Sequence, residues 1–327
     1  PQLLAAVAET HARGEQVIIL LNRRGFSQFV LCRTCGETLK CKNCDITLTF
    51  HRYDNKLLCH YCNYREKSPE VCPHCQSEFL YFVGEGTENI AEKLTKKFPA
   101  MRIARVDRDT MAHKGEMEDV LLKFDSGGLD MLVGTQMIAK GHDFPNVTLV
   151  GVISVDIGLG MPDLRSAERT FQLITQVAGR SGRGDQAGKV LIQTYYPDHY
   201  ALRHAKKQDY EGFYDEEIKF RKRLGYPPFF VLASILIKHR DYSYASKNAN
   251  ILRRSLDAAN SERNARILGP APASLSRLKN EYRLQIIIKA VSRRSLRETL
   301  YIALADAEQN GCDLRTINVE IDPVNLM

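Results

Sequence analysis

Apolar residues from Leu3 to Arg13 recur at helical spacing, Gly14 ends the run, and Val17 to Leu21 is continuously apolar. That pattern predicts a helix feeding a buried strand. The alternation resumes at residue 79. Strands are predicted at Phe79 to Val83, Arg102 to Val106, just before Gly134, at Val147 to Val155 and at Val190 to Tyr195. Between them lie helices at Thr87 to Phe98, Gly115 to Phe124 and Ala167 to Ala178. Short apolar strands separated by amphipathic helices predict a parallel sheet with helices packed on it. One long charged helix is predicted over residues 199–229, halted by Pro227 and Pro228. Beyond it come strand Val231 to Lys238, helix Tyr242 to Ala259, a short strand Arg266 to Leu268, strand Tyr282 to Ala290, helix Ser295 to Ala307 and strand Thr316 to Ile321. This β-α-β-β-α-β order predicts a ferredoxin-like α+β unit, with GPAPASLSRLKNEYR as a basic loop inside it.

Residues 32–75 break the pattern with cysteines. Eight of the nine form C-x-x-C pairs: Cys32 and Cys35, Cys41 and Cys44, Cys59 and Cys62, Cys72 and Cys75. In a reducing compartment such pairs read as metal-binding knuckles, each pointing two thiolates at one ion, so four knuckles imply two zinc ions. ITLTFHRYDNKLL, between the inner pairs, predicts a β-hairpin as in a zinc ribbon. The favoured pairing is nested, with Cys41, Cys44, Cys59 and Cys62 on one ion and Cys32, Cys35, Cys72 and Cys75 on the other; sequential or interleaved pairing fits the spacing as well. Four thiolates leave no position for an activated water, so the ions are expected to be structural. His51, His60 and His74 are expected bystanders, and Cys312 a small buried hydrophobe.

The remaining totals narrow the class without choosing a function. A chain of 327 residues holds about two domains. Its net charge of +7, from 46 basic and 39 acidic residues, is compatible with nucleic acid. No apolar run reaches membrane-spanning length and no secretory signal precedes Pro1, so a cytoplasmic protein without a membrane partner is expected. The absence of an initiator Met suggests a fragment.

Two segments carry candidate chemistry. DMLVGTQMIAKGHDFPNVTLVGVISVD places a polar loop, Gly134 to Pro145, at the carboxyl end of a strand, where open α/β sheets bind ligands. ERTFQLITQVAGRSGRG ends a helix with Gln176, Arg180 and Arg183; Gln176 and Arg180 are four apart and share a face. Two guanidiniums so presented suit a multiply charged anion such as a nucleotide triphosphate. GTQMIAKGHDF followed by Q-x-x-G-R-x-G-R resembles motifs V and VI of superfamily-2 helicases. DIGLGMPDLRSAERTFQLITQVAGRSGRG, LLNRRGF, the cysteine array and FYDEEIKFRKRLGYPPF resemble the PriA (primosomal protein N′) family of bacterial replication-restart helicases. The resemblance runs nearly end to end and corresponds to the C-terminal half of that family.

That resemblance implies an organisation and a function. Residues 1–31 and 76–198 would form the second RecA-like lobe, interrupted by a two-zinc module at 32–75 with the nested pairing. Residues 199–229 would be a helical linker and 230–327 a C-terminal domain for branched DNA and the acidic tail of single-strand-binding protein. The basic loop and Arg293, Arg294 and Arg297 are the candidates there. Arg180 and Arg183 would reach the β- and γ-phosphates of ATP, and Gln176 would contact phosphate or position a water. Gly134, Thr135, Gln136, Lys140, Gly141 and Asp143 would couple the nucleotide cleft to the DNA track, with Asp143 toward ribose or the arginines and Thr135 and Lys140 toward DNA phosphates. The GEGTE turn, with Gly86 and Thr87 opening a helix, resembles the motif IV region. Neither G-x-x-x-x-G-K-[ST] nor D-E-x-H occurs, so ATP and Mg2+ would need a first lobe and this chain alone is expected to be inactive as an ATPase. The expected role is an ATP-dependent 3′-5′ DNA helicase of the bacterial cytoplasm, acting with other primosome proteins on forked, branched and single-stranded DNA at stalled or abandoned replication forks. A second reading makes the chain a non-catalytic, zinc-stabilised DNA-binding and primosome-docking module, and a third a zinc-ribbon redox sensor.

Overall fold

A computed structural model describes residues 1–21, 29–42, 46–51, 55–83, 90–106, 115–135, 138, 144–161, 163–179 and 188–326. The chain opens with α1 (Gln2–Ala12), β1 (Gln16–Leu21) and β2 (Phe29–Cys32). Three short strands follow, β3 (Thr49–His51), β4 (Lys56–Leu58) and β5 (Arg65–Lys67), then β6 (Leu80–Val83). Next come α2 (Ile90–Lys97), β7 (Ile103–Val106), α3 (Glu116–Asp125), β8 (Met131–Gly134) and β9 (Val147–Ile153). They lead to α4 (Val155–Leu159), α5 (Ser166–Ala178), β10 (Lys189–Ile192), α6 (Tyr200–Lys207) and α7 (Tyr210–Leu224). The last stretch holds β11 (Val231–His239), α8 (Tyr242–Ala259), β12 (Ala265–Leu278), β13 (Glu281–Ala290), α9 (Arg293–Gln309) and β14 (Ile317–Ile321).

These elements form two compact units. The first comprises Pro1–Gly25, Gly84–Leu159 and Ser166–Phe213. Its five strands run parallel in the order β10-β9-β1-β8-β7. Successive side chains on a strand face opposite ways, and β1 shows the result. Ile18 and Leu20 join one cluster with Leu121, Phe124, Phe171 and Ile174, whereas Val17 and Ile19 join another with Ala6, Val7 and Leu94. Helices therefore cover both faces, which is why the strands read as unbroken apolar runs rather than alternating ones. Buried Gln16 supports the turn after α3, its Nε2 donating to Phe124 O at 2.6 Å and Leu129 O at 2.9 Å. The predicted α/β lobe is present.

Three expectations need correction. The strand predicted at 79–83 is outside the parallel sheet: β6 pairs antiparallel with β2 in a sheet of two. Its apolar run does not distinguish a lobe strand from the closing strand of the cysteine-rich insertion. The single helix predicted over 199–229 is two, because Gln208 turns left-handed (φ 52°) and the Asp209 carboxylate accepts from Gly212 N at 2.8 Å to open α7. The basic loop GPAPASLSRLKNEYR is mostly strand. Its prolines are tolerated because β12 is the edge of its sheet and its register shifts around Leu268/Ala271 and Pro272/Arg277. Strand β2, helix α4 and strand β5 also have no counterpart in the sequence pattern, each too short for periodicity to register.

The second unit comprises Phe26–Val83, Gly160–Arg165 and Tyr214–Met327. Its antiparallel sheet runs β12-β13-β11-β14, the expected ferredoxin-like arrangement, and α8 and α9 cover one face through Ala245, Leu252, Leu296 and Leu300. The opposite face is also buried. Leu232, Leu268 and Ile287 share a cluster with Val30, Leu48, Leu57, Cys59 and Tyr61, so the cysteine-rich module and the C-terminal sheet are two halves of one core. Tyr61 and Ile287 are fully buried in it. Being covered on both sides explains why Gln285 to Ala290 is buried throughout, with Gln285 Nε2 and Lys289 Nζ each given an acceptor inside. Gln285 Nε2 donates to Ser234 Oγ at 2.8 Å, and Lys289 Nζ donates to Leu224 O at 2.9 Å while lying 3.6 Å from the Tyr226 ring centroid.

Candidate functional site

The cysteine pairs sit on knuckles of one repeated geometry. In each of three, the first cysteine's carbonyl accepts from the amide four residues on: Gly36 N to Cys32 O at 2.9 Å, Asn63 N to Cys59 O at 2.9 Å and Gln76 N to Cys72 O at 2.8 Å. The first cysteine's own amide donates to the carbonyl five residues on, which is Glu37, Tyr64 and Ser77 respectively, and Cys41 N to Ile46 O at 2.8 Å follows the same rule. The residue four on from the first cysteine is left-handed each time: Gly36 at φ 77°, Asn63 at φ 63° and Gln76 at φ 59°. A backbone closing around the sulfurs this tightly calls for positive φ, which Gly and Asn adopt most readily. These three turn residues escaped the sequence reading, although the Gly or Asn directly after a C-x-x-C was the signal at two of them.

The structure brings Cys32, Cys35, Cys72 and Cys75 together, and separately Cys41, Cys59 and Cys62, with the ligand atoms of each group within 4.8 Å of one another. Cys44 lies outside the described residues. Thiolates about 2.3 Å from a tetrahedral zinc stand about 3.8 Å apart. The Sγ separations match that spacing: 3.6 Å for Cys32–Cys75, 3.7 Å for Cys35–Cys72 and 3.5 Å for Cys41–Cys62. The donor set therefore fits zinc. Burial pushes the Cys32 thiol up, but the amides of Cys35 and Thr34 and the neighbouring thiols outweigh burial and bring it below the ordinary thiol value. Burial holds Cys35 above that value. Loading a metal must strip such protons, which couples occupancy to pH.

Among the described residues, no histidine joins either cluster. His60 is buried and its Nδ1 lies 2.7 Å from Pro272 O, tying the ribbon to β12, while His74 is exposed. Burial lowers His60 to about 4, so its ring is neutral and Nδ1–H donates. The basic surface of the module is partly held by rings: Arg33 stacks 4.2 Å over Tyr81 and Lys42 4.7 Å over Tyr64. Cys312 is buried against Asn248 O, as expected.

The candidate motor residues lie in the first unit. Gly134 ends β8, fully enclosed; a Cβ there would collide with Val106 O and Ile138, so only glycine fits. Thr135 follows, its amide reaching Val106 O at 3.4 Å and its carbonyl accepting from Ile138 N at 3.1 Å, which turns the chain as β8 leaves the sheet. Gln176 is exposed on the last turn of α5. Gln136, Lys140, Gly141, Asp143, Arg180 and Arg183 lie outside the described residues, as do Gly86 and Thr87. One residue missed in the sequence is Asp156, buried at the start of α4. Burial raises its carboxyl even though Thr194 Oγ1 donates to it at 2.6 Å, and the contact pins the exit of β9 to the segment after β10.

Three families match the sequence. The helicase conserved C-terminal domain covers residues 61–185, the PriA DNA helicase Cys-rich region domain 41–67 and the primosomal protein N C-terminal domain 222–324. Among relatives, replication restart protein PriA of Bacillus subtilis is 48% identical over 288 residues, 88% of this chain and 36% of the relative. The Synechocystis protein of the same name is 43% identical over 294 residues, covering 88% of this chain and 35% of its own length. That of Chlamydia pneumoniae is 42% identical over 308 residues, covering 92% and 40%. The chain thus spans less than half the length of these relatives. With its parallel lobe, cysteine-rich module and C-terminal sheet each matched in place, the chain belongs to the PriA family.

Proposed function

We propose that this chain is the second motor lobe, zinc module and C-terminal domain of an ATP-dependent 3′-5′ DNA helicase that acts at stalled or abandoned replication forks. The observation that carries this reading is the parallel lobe in which β8 ends at Gly134, where GTQMIAKGHDF begins in sequence, and α5 ends at Ala178, within QVAGRSGR, inside the segment matched by the helicase domain. In the intact enzyme Arg180 and Arg183 meet the β- and γ-phosphates of ATP, where fixed guanidiniums stabilise the charge of phosphoryl transfer. Gln176 contacts phosphate or places the attacking water. Gly134, Thr135, Gln136, Lys140, Gly141 and Asp143 couple the cleft to the DNA backbone. Mg2+ and the triphosphate cradle belong to the first lobe.

The two cysteine clusters hold structural zinc, in the nested arrangement with Cys44 completing the inner set. Partners in this reading are forked, branched and single-stranded DNA, the tail of single-strand-binding protein and other primosome proteins, in the bacterial cytoplasm. No described helix is long and apolar enough to cross a membrane.

Steady-state ATP hydrolysis with and without forked DNA tests the reading. The chain alone should bind DNA and turn over no ATP, and supplying the first lobe should restore DNA-stimulated turnover. DNA-stimulated hydrolysis by the chain alone would overturn the half-motor assignment. In the intact protein, Arg183→Ala should reduce kcat for hydrolysis by about 10³-fold or more, with fork affinity unchanged. Retained unwinding by that variant would remove Arg183 from its assigned role.

A further inference from the structure

A cavity of about 290 Å³ opens in the second unit between the ribbon strands and the C-terminal sheet. Its ribbon wall follows from strand register. Leu57 turns into the shared core, so its neighbours Lys56 and Leu58 face the other way, and Arg65 on β5 stands opposite Leu58. Lys56, Leu58 and Arg65 all line the cavity, joined from the sheet side by Tyr282 and Arg283 on β13 and Tyr242 at the start of α8. The His60–Pro272 bond at 2.7 Å fixes one wall against the other.

Its chemistry is one-sided. Three cationic side chains from three strands converge, and no carboxylate is among the described residues that line it. Arg283 reaches Leu275 O at 3.4 Å through one terminal nitrogen, while its Nε, shielded from solvent, has no acceptor. A buried donor without an acceptor on a guanidinium favours an anion. Beside the cations stand two rings, Tyr242 and Tyr282, edge to face at 5.5 Å, with Arg277 stacked 5.1 Å over Tyr282. Tyr242 is 49% exposed, so its ring is open to a ligand. An acidic peptide would use the cations and leave the rings idle. A nucleotide uses both, since every base has a face to stack and every link a phosphate. The volume suits one unit, not a run of several.

We propose that this cavity is a subsite for one nucleotide of single-stranded DNA, its base against Tyr242 and Tyr282 and its phosphate against Lys56, Arg65 and Arg283. The proposal rests on the reading of this chain as part of a DNA helicase. The cavity belongs to the second unit, whereas Gly134 and Gln176 belong to the first.

Fluorescence anisotropy of a labelled oligothymidylate on the zinc-loaded chain, across a salt series, tests it. Tyr242→Ala, a change at a half-exposed first-turn residue, should weaken binding about tenfold and leave the salt slope unchanged. Arg65→Gln and Arg283→Gln should weaken it and reduce the log–log salt slope by about 0.7 each. An oligonucleotide carrying 5-iodouracil should crosslink to Tyr242 or Tyr282, with zinc content and circular dichroism confirming that each variant is folded. Wild-type binding with unchanged variants and crosslinks elsewhere would overturn the subsite and leave the DNA reading standing. No oligothymidylate binding by the wild type at any salt would overturn both. An acidic peptide that displaces the oligonucleotide and depends on Arg65 but not on Tyr242 would reassign the cavity to a protein partner.

Discussion

Single side chains hold the second unit together where short strands alone would not. His60 is the clearest case, a buried neutral ring donating to Pro272 O across the join between ribbon and sheet. Its replacement by Ala leaves that carbonyl without its donor, so His60→Ala should cost about 1–3 kcal/mol in urea unfolding of the zinc-loaded chain. A midpoint within error of wild type would show that the contact carries no net stability. Asp313 makes a different test. The Arg315 guanidinium holds its carboxyl down at about 2, against an ordinary value near ~3.9. Because the folded value is the lower one, the pair's contribution is present above the ordinary value and is lost as pH falls toward about 2. Carboxyl NMR should give a midpoint near about 2 for Asp313, moving back toward ~3.9 in Arg315→Ala; an unmoved midpoint would assign the shift to backbone donors instead.

At the scale of elements, the knuckle is the recurring device, and the residue directly after its second cysteine decides how easily it forms. A left-handed conformation costs an ordinary L-residue about 1–2 kcal/mol. Gln76, at φ 59°, bears that cost, so Gln76→Gly should raise stability by up to about 1 kcal/mol and tighten zinc retention against a chelator. Asn63→Val, forcing a β-branched residue into the same conformation, should do the reverse. Equal zinc retention in both variants would mean that the ion, not the turn, sets the knuckle's geometry. Strand β12 shows an edge position overriding composition: two prolines within four residues still leave it paired to β13 on either side of a shifted register.

For the whole molecule, the shared core of the second unit has a consequence for metal removal. Leu48, Leu57 and Tyr61 of the ribbon pack with Leu232, Leu268 and Ile287 of the C-terminal sheet. Chelation should therefore loosen more than the ribbon. Hydrogen exchange after metal removal is expected to speed up at Gln285 to Ala290 and at Leu232, as well as at β3 and β4. Unchanged protection in the sheet would mean that it folds without the ribbon's support.

Much of this was determined by the sequence alone, wherever the decisive information was local. The apolar runs at Val17 to Leu21 and Val147 to Val155 read as buried strands and supply β1 and β9, the latter ending at Ile153 before α4 begins, and the helix Tyr242–Ala259 is read to the residue. The C-x-x-C spacing marked the metal ligands because a knuckle is made within six residues of chain. The tertiary structure alone decided what depends on partners far apart in sequence. Nothing local says that β6 pairs with β2 rather than with the lobe, that GPAPASLSRL is an edge strand, or that His60 answers Pro272. The cavity of Lys56, Arg65, Tyr242 and Arg283 is of the same kind. Arg283 falls in the GPAPASLSRLKNEYR stretch already read as a candidate for DNA, but nothing local joins it to Lys56, Arg65 and Tyr242. They become a site because the ribbon and the C-terminal sheet pack on one core and bring these residues together at its rim.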